Sequence, residues 1–257
     1  MPQVHPTALV DPGAKLAEDV KVGPFCSVSS DVEIGAGTVL ESNVVIERFT
    51  SLGKNCHVSH FAVLGGLPQD LKFKGARSRV EIGDSNMIRE FVTINRATGD
   101  GEKTTVGNNN LIMAYVHLAH NCVIASNVIL ANAVNLAGHV MIDDYAIVGG
   151  LTPVHQFVRI GKHSFIGGGS RVPQDVPPFV KVAGNPLKTV GLNSVGLQRR
   201  EFPPDVRLEL KRLYRLFYRS GLNVSQAIER IKSDLRDIPQ VREFVSFVEQ
   251  SERGITI

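Results

Sequence analysis

The chain has no run of about 18 consecutive apolar residues, the length a membrane-spanning helix needs, so no membrane span is expected. Its first residues, Met1-Pro2-Gln3-Val4-His5-Pro6, carry neither a basic nor an apolar segment, and no secretory signal is expected there. Cysteine is scarce. Cys26, Cys56 and Cys122 are odd in number and far apart, which argues against a disulfide framework. Free thiols suit a reducing cytoplasm. A dominant charge is also missing. With 28 basic and 25 acidic residues, bulk electrostatics names no partner, and no nucleic-acid partner is expected. Aromatic residues make up only 6% of the chain against 24 glycines, which fits short strands joined by tight corners. At 257 residues the chain has room for one large domain, or one plus a small one.

A six-residue period fills most of that room. From Val106 it runs through Ile112, Leu118, Ile124, Leu130, Leu136, Ile142, Val148, Val154, Ile160 and Ile166 to Val172. Upstream it begins at Val4 and continues to Leu64, then resumes in phase at Ile82, Ile88 and Ile94. Of the 29 positions between 4 and 172, 26 are Val, Ile or Leu; Asp70, Ala76 and Asp100 are the exceptions. Neither a helix nor a simple strand has this period. It marks a parallel β-helix, in which each hexad makes one short strand and one corner. Three hexads per coil close a triangular prism, so residues about 18 apart stack about 4.8 Å apart. Glycine often follows the aliphatic residue (Gly23, Gly35, Gly53, Gly83), which suggests turns that need positive φ. The cysteines share one phase, two places before an aliphatic rung, and read as small buried side chains.

Two stretches break the ladder, 65–79 and 95–105, and read as loops thrown out from corners. Near Pro173 the ladder stops. Pro177-Pro178 and Asn185-Pro186 suggest an irregular connector, and the β-helix domain is expected over 1–190. The period then becomes helical, giving a small α-helical domain over 191–257. Val206, Leu210, Leu213 and Phe217 mark a first helix between Pro203-Pro204 and Gly221. Asn223 with Gln226 resembles a capping box for a second, and Pro239 opens a third.

Chemistry points to the histidines. His139 and His155 follow His120 by 19 and 35 residues, within one place of alignment on an 18-residue coil. The three should line one corner, as a general-base site or a metal site. A metal asks for several ligands about 2.1 Å from one point, which coils about 4.8 Å apart supply poorly. A base asks only for one imidazole beside a nucleophile. His117 and His120 are too close along an extended segment to converge.

Five segments together carry a specific resemblance: His117-Leu118-Ala119-His120-Asn121-Cys122, Ala137-Gly138-His139-Val140, His155-Gln156-Phe157, Gln174-Asp175-Val176-Pro177-Pro178, and Gly191-Leu192-Asn193 with Gln198-Arg199-Arg200. They resemble the UDP-N-acetylglucosamine O-acyltransferases, hexapeptide-repeat enzymes of the first step of lipid A synthesis, over nearly the whole chain. The resemblance implies a homotrimer of left-handed β-helices with active sites between subunits, and no cofactor or metal. It implies that His120 is the base that deprotonates the sugar 3-hydroxyl for attack on a 3-hydroxyacyl thioester of acyl carrier protein. It gives the Gly138 N–H to the oxyanion. Asp70, Lys72, His117, His139, His155 and Gln156 become substrate contacts, and Asn193, Arg199 and Arg200 the nucleotide end. Gly168 matches the floor of the acyl groove, with room for a longer chain.

Two positions depart from the family pattern. Asn121 follows the base where many relatives have Asp, so any orienting carboxylate must come from elsewhere. Val195 stands where some relatives carry Glu near the uridine. Carrier proteins are acidic, and Arg207, Lys211, Arg215 and Arg219 make a basic helix stripe suited to docking one. Three rival readings remain. The N-acyltransferase of the same repeat class has an extra N-terminal domain, whereas here the ladder starts at Val4. A γ-type carbonic anhydrase would need zinc and lack the helical tail. A structural solenoid would need no histidine corner.

Overall fold

The computed structural model describes residues 1–257. Two-residue strands recur every six residues and stack into three parallel sheets of 11, 8 and 8 strands. The first face holds Gln3–Val4, Leu111–Ile112 and Phe165–Ile166; the second Leu9–Val10 and His117–Leu118; the third Lys15–Leu16 and Val123–Ile124. Pairing is in register at the coil length, as in Ile129↔Ile147 and His117↔Asn135. The expected prism is therefore present.

Each hexad buries two side chains. One is the aliphatic rung; the other, two places earlier, is small: Val20, Cys26, Val32, Val44, Cys56, Ala62, Val128 and Val134 among them. The cysteines are thus core residues, and burial raises Cys122 to about 12, far from a reactive thiolate.

The glycine expectation is corrected. Of the glycines that follow an aliphatic rung, only Gly65 has positive φ. The left-handed residue comes two places later and is usually Asn, Phe, Tyr or His: Asn121, His139, Tyr145, Phe157 and His163. Glycine after the rung answers close approach between coils. A Cβ on Gly35 would lie 2.6 Å from the Gly53 carbonyl carbon, and one on Gly53 2.6 Å from that of Gly83. The left-handed aromatics stack along the edges. Phe61, Phe91 and Tyr115 have centroids 5.1 and 4.9 Å apart.

The end of the prism differs from the expected irregular connector. Val180–Ala183 extends the first face, and Lys188–Leu192 pairs antiparallel to it, closing the sheet as a hairpin. Sheet structure thus continues two residues past the expected boundary at 190. A short helix, α1 (Ser194–Arg199), follows, then α2 (Pro204–Arg219), α3 (Val224–Asp234) and α4 (Pro239–Glu249). Asn223 and Gln226 make the reciprocal capping box that begins α3. Leu213, Phe217, Ile231, Phe244 and Val248 join the prism's own core, so tail and prism share one interior.

Candidate active site

Both loops leave the prism at the edge between the second and third faces. Loop 65–79 joins Val63–Gly66 to Arg79–Ile82, and loop 95–105 joins Thr93–Asn95 to Lys103–Val106. His120 lies on the same edge, between His117–Leu118 and Val123–Ile124. The loops brace each other. Asn95 Nδ2 donates to the Leu67 carbonyl at 2.8 Å, the Arg77 N–H donates to Asp100 at 3.0 Å, and the Ser78 hydroxyl donates to the Ala97 carbonyl.

The His120 imidazole has a defined hydrogen-bonding state. Its Nδ1 lies 2.9 Å from Asn121 Oδ1. That oxygen also receives the Thr98 N–H at 3.1 Å, while Asn121 Nδ2 donates to Glu102 Oε2 at 2.7 Å. A backbone N–H only donates and a carboxylate only accepts, so the Asn121 amide cannot be turned over. Its oxygen therefore faces His120, and Nδ1 must carry the proton. Nε2 is left with its lone pair free, which is what a general base needs.

Gly138 lies one coil from His120. A Cβ there would sit 2.5 Å from His120 Cε1 and 2.6 Å from Nε2, so only glycine leaves the ring in place. The Gly138 N–H donates to no protein acceptor. His139 meets His120 edge-on, with centroids 5.2 Å apart, and stacks on Phe157 at 4.7 Å. Burial and the neighbouring His120 lower the His139 pKa, opposed by Glu102 and Asp70. Asp70 Oδ1 accepts the Lys72 N–H at 2.8 Å, which sets the turn that carries Lys72.

The other histidines are placed differently. His120, Gly138 and Gln156 form one column and Asn121, His139 and Phe157 the next, while His155 falls in a third with Ala119 and Ala137. The His155 ring is held from outside by Arg253, at 3.0 Å from Nδ1. That contact comes from the returning C-terminal segment, where Thr256 donates to the Asp175 carbonyl. No repeat signal announces it. His117 lies on the second face, on the strand that leads into the corner, 2.7 Å from Thr93 Oγ1. Gly168 sits exposed at the edge between the first and second faces, away from His120 on the same chain.

The nucleotide-end residues lie on yet another side. Asn193, Val195, Arg199 and Arg200, with Ile147, Phe165 and Lys181 of the first face, line a cavity of about 530 Å³. The side chain of Asn193 is spent on the protein, accepting from Gly196 N–H as the cap of α1 and donating to the His163 carbonyl. Arg200 lies 4.7 Å over the Tyr145 ring, and its guanidinium approaches His163 Nδ1 at 3.5 Å. Arg199 is exposed and unpaired. In a triangular prism the first face is opposite the second–third edge. The cavity and His120 of one chain therefore do not meet. No group of three or more His, Cys, Asp or Glu is arranged to hold a metal ion.

Comparison with known proteins agrees with this geometry. A family model described as UDP N-acetylglucosamine O-acyltransferase, domain 2, matches residues 175–256, and a bacterial transferase hexapeptide model matches 13–48 and 103–138. The acyl-acyl-carrier-protein–UDP-N-acetylglucosamine O-acyltransferase of Aliivibrio salmonicida is 53% identical over 254 residues, 98% of this chain and 97% of the relative. That of Ectopseudomonas mendocina is 50% identical over the full length of both. Among solved structures, LpxA, a UDP-N-acetylglucosamine acyltransferase from Bacteroides fragilis, superposes with a TM-score of 0.97 at 39% identity, covering 99% of this chain and 100% of that one. LpxA from Acinetobacter baumannii gives 0.95 at 42%, covering 99% of each. The fold is that of a hexapeptide-repeat acyltransferase. Within that class, the chain belongs to the UDP-N-acetylglucosamine O-acyltransferase family.

The layer behind Arg200 yields a pH prediction. His163 is stacked between Tyr145 and Phe179, and burial, with the charges of Arg200 and Lys162, lowers it to about 4 from an ordinary 6.5. Above pH 6.5 the ring is neutral folded or unfolded. Between 6.5 and about 4 the unfolded chain takes the proton first, so stability falls as pH falls through that window. Denaturant midpoints measured across it should decline, and His163→Phe, which keeps the stack, should flatten the decline. An identical slope in the variant would remove His163 as the cause.

Proposed function

We propose that this protein transfers a 3-hydroxyacyl chain from acyl carrier protein to the 3-hydroxyl of UDP-N-acetylglucosamine, the first step of lipid A synthesis. The observation that carries the reading is full-length identity of about half to acyltransferases of that name, joined to an imidazole whose Nε2 is free beside a bare Gly138 N–H. The chemistry follows from the site. His120 Nε2 takes the proton of the sugar hydroxyl as its oxygen attacks the thioester carbonyl. The Gly138 N–H donates to the developing oxyanion, a role worth about 3 kcal/mol in comparable sites. The carbon–sulfur bond breaks, and the leaving thiolate takes the proton back from His120. The products are an ester and a free thiol. Asp70, Lys72 and His139 hold the acceptor, and Gln156 and His155 lie toward the donor arm.

The active unit is a homotrimer with sites between subunits. Two observations support this. His120 and the Arg199 cavity lie on opposite sides of one prism, so one chain cannot present both to one substrate. The edge carrying Phe25, Phe61, Phe91, Tyr115 and Leu151 is also exposed and apolar on the single chain, a surface that association would cover. The same arrangement brings Gly168 of a neighbouring copy toward the acyl chain. α2 docks the carrier. Lys211, Arg215 and Arg219 are exposed, and neither they nor the half-buried Arg207 has an ion-pair partner, whereas Arg212 is held by Glu209.

Purified protein should turn over UDP-N-acetylglucosamine with a panel of 3-hydroxyacyl carrier thioesters. His120→Ala should fold normally and lose at least ~100-fold in rate, the low end for general-base catalysis. Near-normal turnover by the folded variant would remove His120 from the chemistry.

Subunit sharing has its own test. His120→Ala and Arg199→Glu, each nearly inactive alone, should recover about a quarter of parental activity when co-expressed, because each mixed trimer rebuilds one of its sites. No recovery from mixed trimers would place both groups in a site within one chain.

For the carrier, charge reversal at Lys211 and Arg215 should raise KM for the acyl carrier thioester, more at low salt than at high salt. KM for UDP-N-acetylglucosamine should barely move. Equal weakening of both substrates, or a donor effect indifferent to salt, would reduce the stripe to a solvated helix face.

A further inference from the structure

The position after the base is Asn121, a neutral side chain where an acid would steady the imidazolium that forms during turnover. The charge is supplied from loop 95–105. Asn121 Nδ2 donates to Glu102 Oε2 at 2.7 Å, and the same amide's oxygen faces His120 Nδ1 at 2.9 Å. The loop is shaped to hold that carboxylate. The Gly99 N–H donates to Glu102 Oε2 at 3.0 Å. A Cβ on Gly99 would lie 2.4 Å from the Glu102 carboxyl carbon, so the carboxylate as placed packs directly over the bare Gly99 backbone. Asp100, beside it, accepts the Arg77 N–H and pins the loop to its neighbour. Thr98 N–H and hydroxyl both donate to Asn121 Oδ1, at 3.1 Å each, which fixes the amide from its other side.

We propose that Glu102 is a positioning residue for the His120 base, acting through the Asn121 amide: a histidine–carboxylate pair with an amide inserted between its members. The reading rests on His120 being the general base of the proposed acyl transfer. A carboxylate pulling on Nδ2 polarises the amide and makes its oxygen a better acceptor for the Nδ1 proton. That holds the ring with Nε2 toward the acceptor and favours the imidazolium when Nε2 is protonated. Glu102 is exposed, so solvent screens its charge and the effect is moderate. The other titratable groups at this corner are His139, edge-on to His120, and Asp70, which faces His139.

Glu102→Gln isolates the charge, because its amide oxygen can still accept from Asn121 and Gly99. In the full-length protein it should lower kcat roughly 3- to 10-fold, leave KM for UDP-N-acetylglucosamine unchanged, and move the acid limb of the kcat–pH profile to lower pH. Adding Asn121→Asp to that variant returns a carboxylate to the ring. It should restore kcat to within about twofold and move the limb back up. The proposal is overturned by parental rate and profile in Glu102→Gln, by a rate loss with an unmoved limb, or by no rescue in the double variant. Carbethoxylation of His120 by diethyl pyrocarbonate, followed against pH by peptide mass spectrometry, needs no turnover. Its midpoint should shift downward in Glu102→Gln and recover in the double variant. If the parent protein does not transfer acyl groups, the functional reading fails, and the labelling still decides the role of Glu102: an unshifted midpoint ends it.

Discussion

Everything in this molecule depends on one repeated contact, the aliphatic rung resting on the rung of the next coil. Ile112, Leu130 and Val148 pair in sequence along one face, and all are fully buried. A coil has no core of its own and buries its rung only against neighbours. Two consequences follow. Residues one coil apart become spatial neighbours, so a site is assembled along the prism axis. And a corner can release a long loop at small cost, because the rungs on either side still pair. Leu64 meets Ile94 across the first loop, and Ile94 meets Leu118 across the second. The proposed catalytic edge uses both. His120, Gly138 and Gln156 come from three coils, and loops 65–79 and 95–105 leave the same edge just before them.

Much of this was legible in the period. The rungs, both breaks, the switch to helices and the Asn223 cap could be read from spacing alone. The shared edge of the loops and His120 is legible too, since Leu64, Ile94 and Leu118 are all rungs of one face. Treating His120, His139 and His155 as one aligned set was too coarse. One residue of offset moves a side chain to the adjacent column, and there His155 meets Arg253 instead of His120. The hairpin at 180–192 was hidden because its register shifts and its prolines read as disorder of pattern. The isolated bridge between Ile255 and Asp175 left no repeat to find. Which hand the coil takes is not encoded in a period at all.

Positive φ was assigned to the wrong residues for a physical reason. Glycine is the residue expected in left-handed conformation, but the prism places aromatic and amide side chains there instead. Each such residue carries strain of roughly 1 kcal/mol. Stacking along the edge offsets it, as in Tyr145, His163 and Phe179. The left-handed turn is also what aims a side chain outward along an edge. His139 and Asn121 reach the His120 corner by that device, and His163 reaches the stack behind Arg200 by it. Glycine is kept for places where another coil comes close, and Gly138 belongs to that second group, with an imidazole as the neighbour.

The two ends of the site are built on different principles. At the cavity, polar groups are consumed by the protein. Asn193 caps a helix and ties it to the His163 carbonyl, and Arg200 is stacked on Tyr145 beside a ring that burial keeps neutral. Rigid elements there leave Arg199 and Lys181 as the unpaired cations of the cavity. At the catalytic edge the polar groups form a chain with a free end. Glu102, Asn121 and His120 are joined in turn, and the ring's own end, Nε2, is unpaired beside the bare Gly138 N–H. A donor chain that ends in one open lone pair is directional. On the proposed reading it leaves His120 a single place to take a proton, with the Gly138 N–H as the neighbouring donor. That directionality comes from a carboxylate on one loop and an amide on the prism. The scaffold therefore supplies position, and the loop that breaks the repeat supplies the charge.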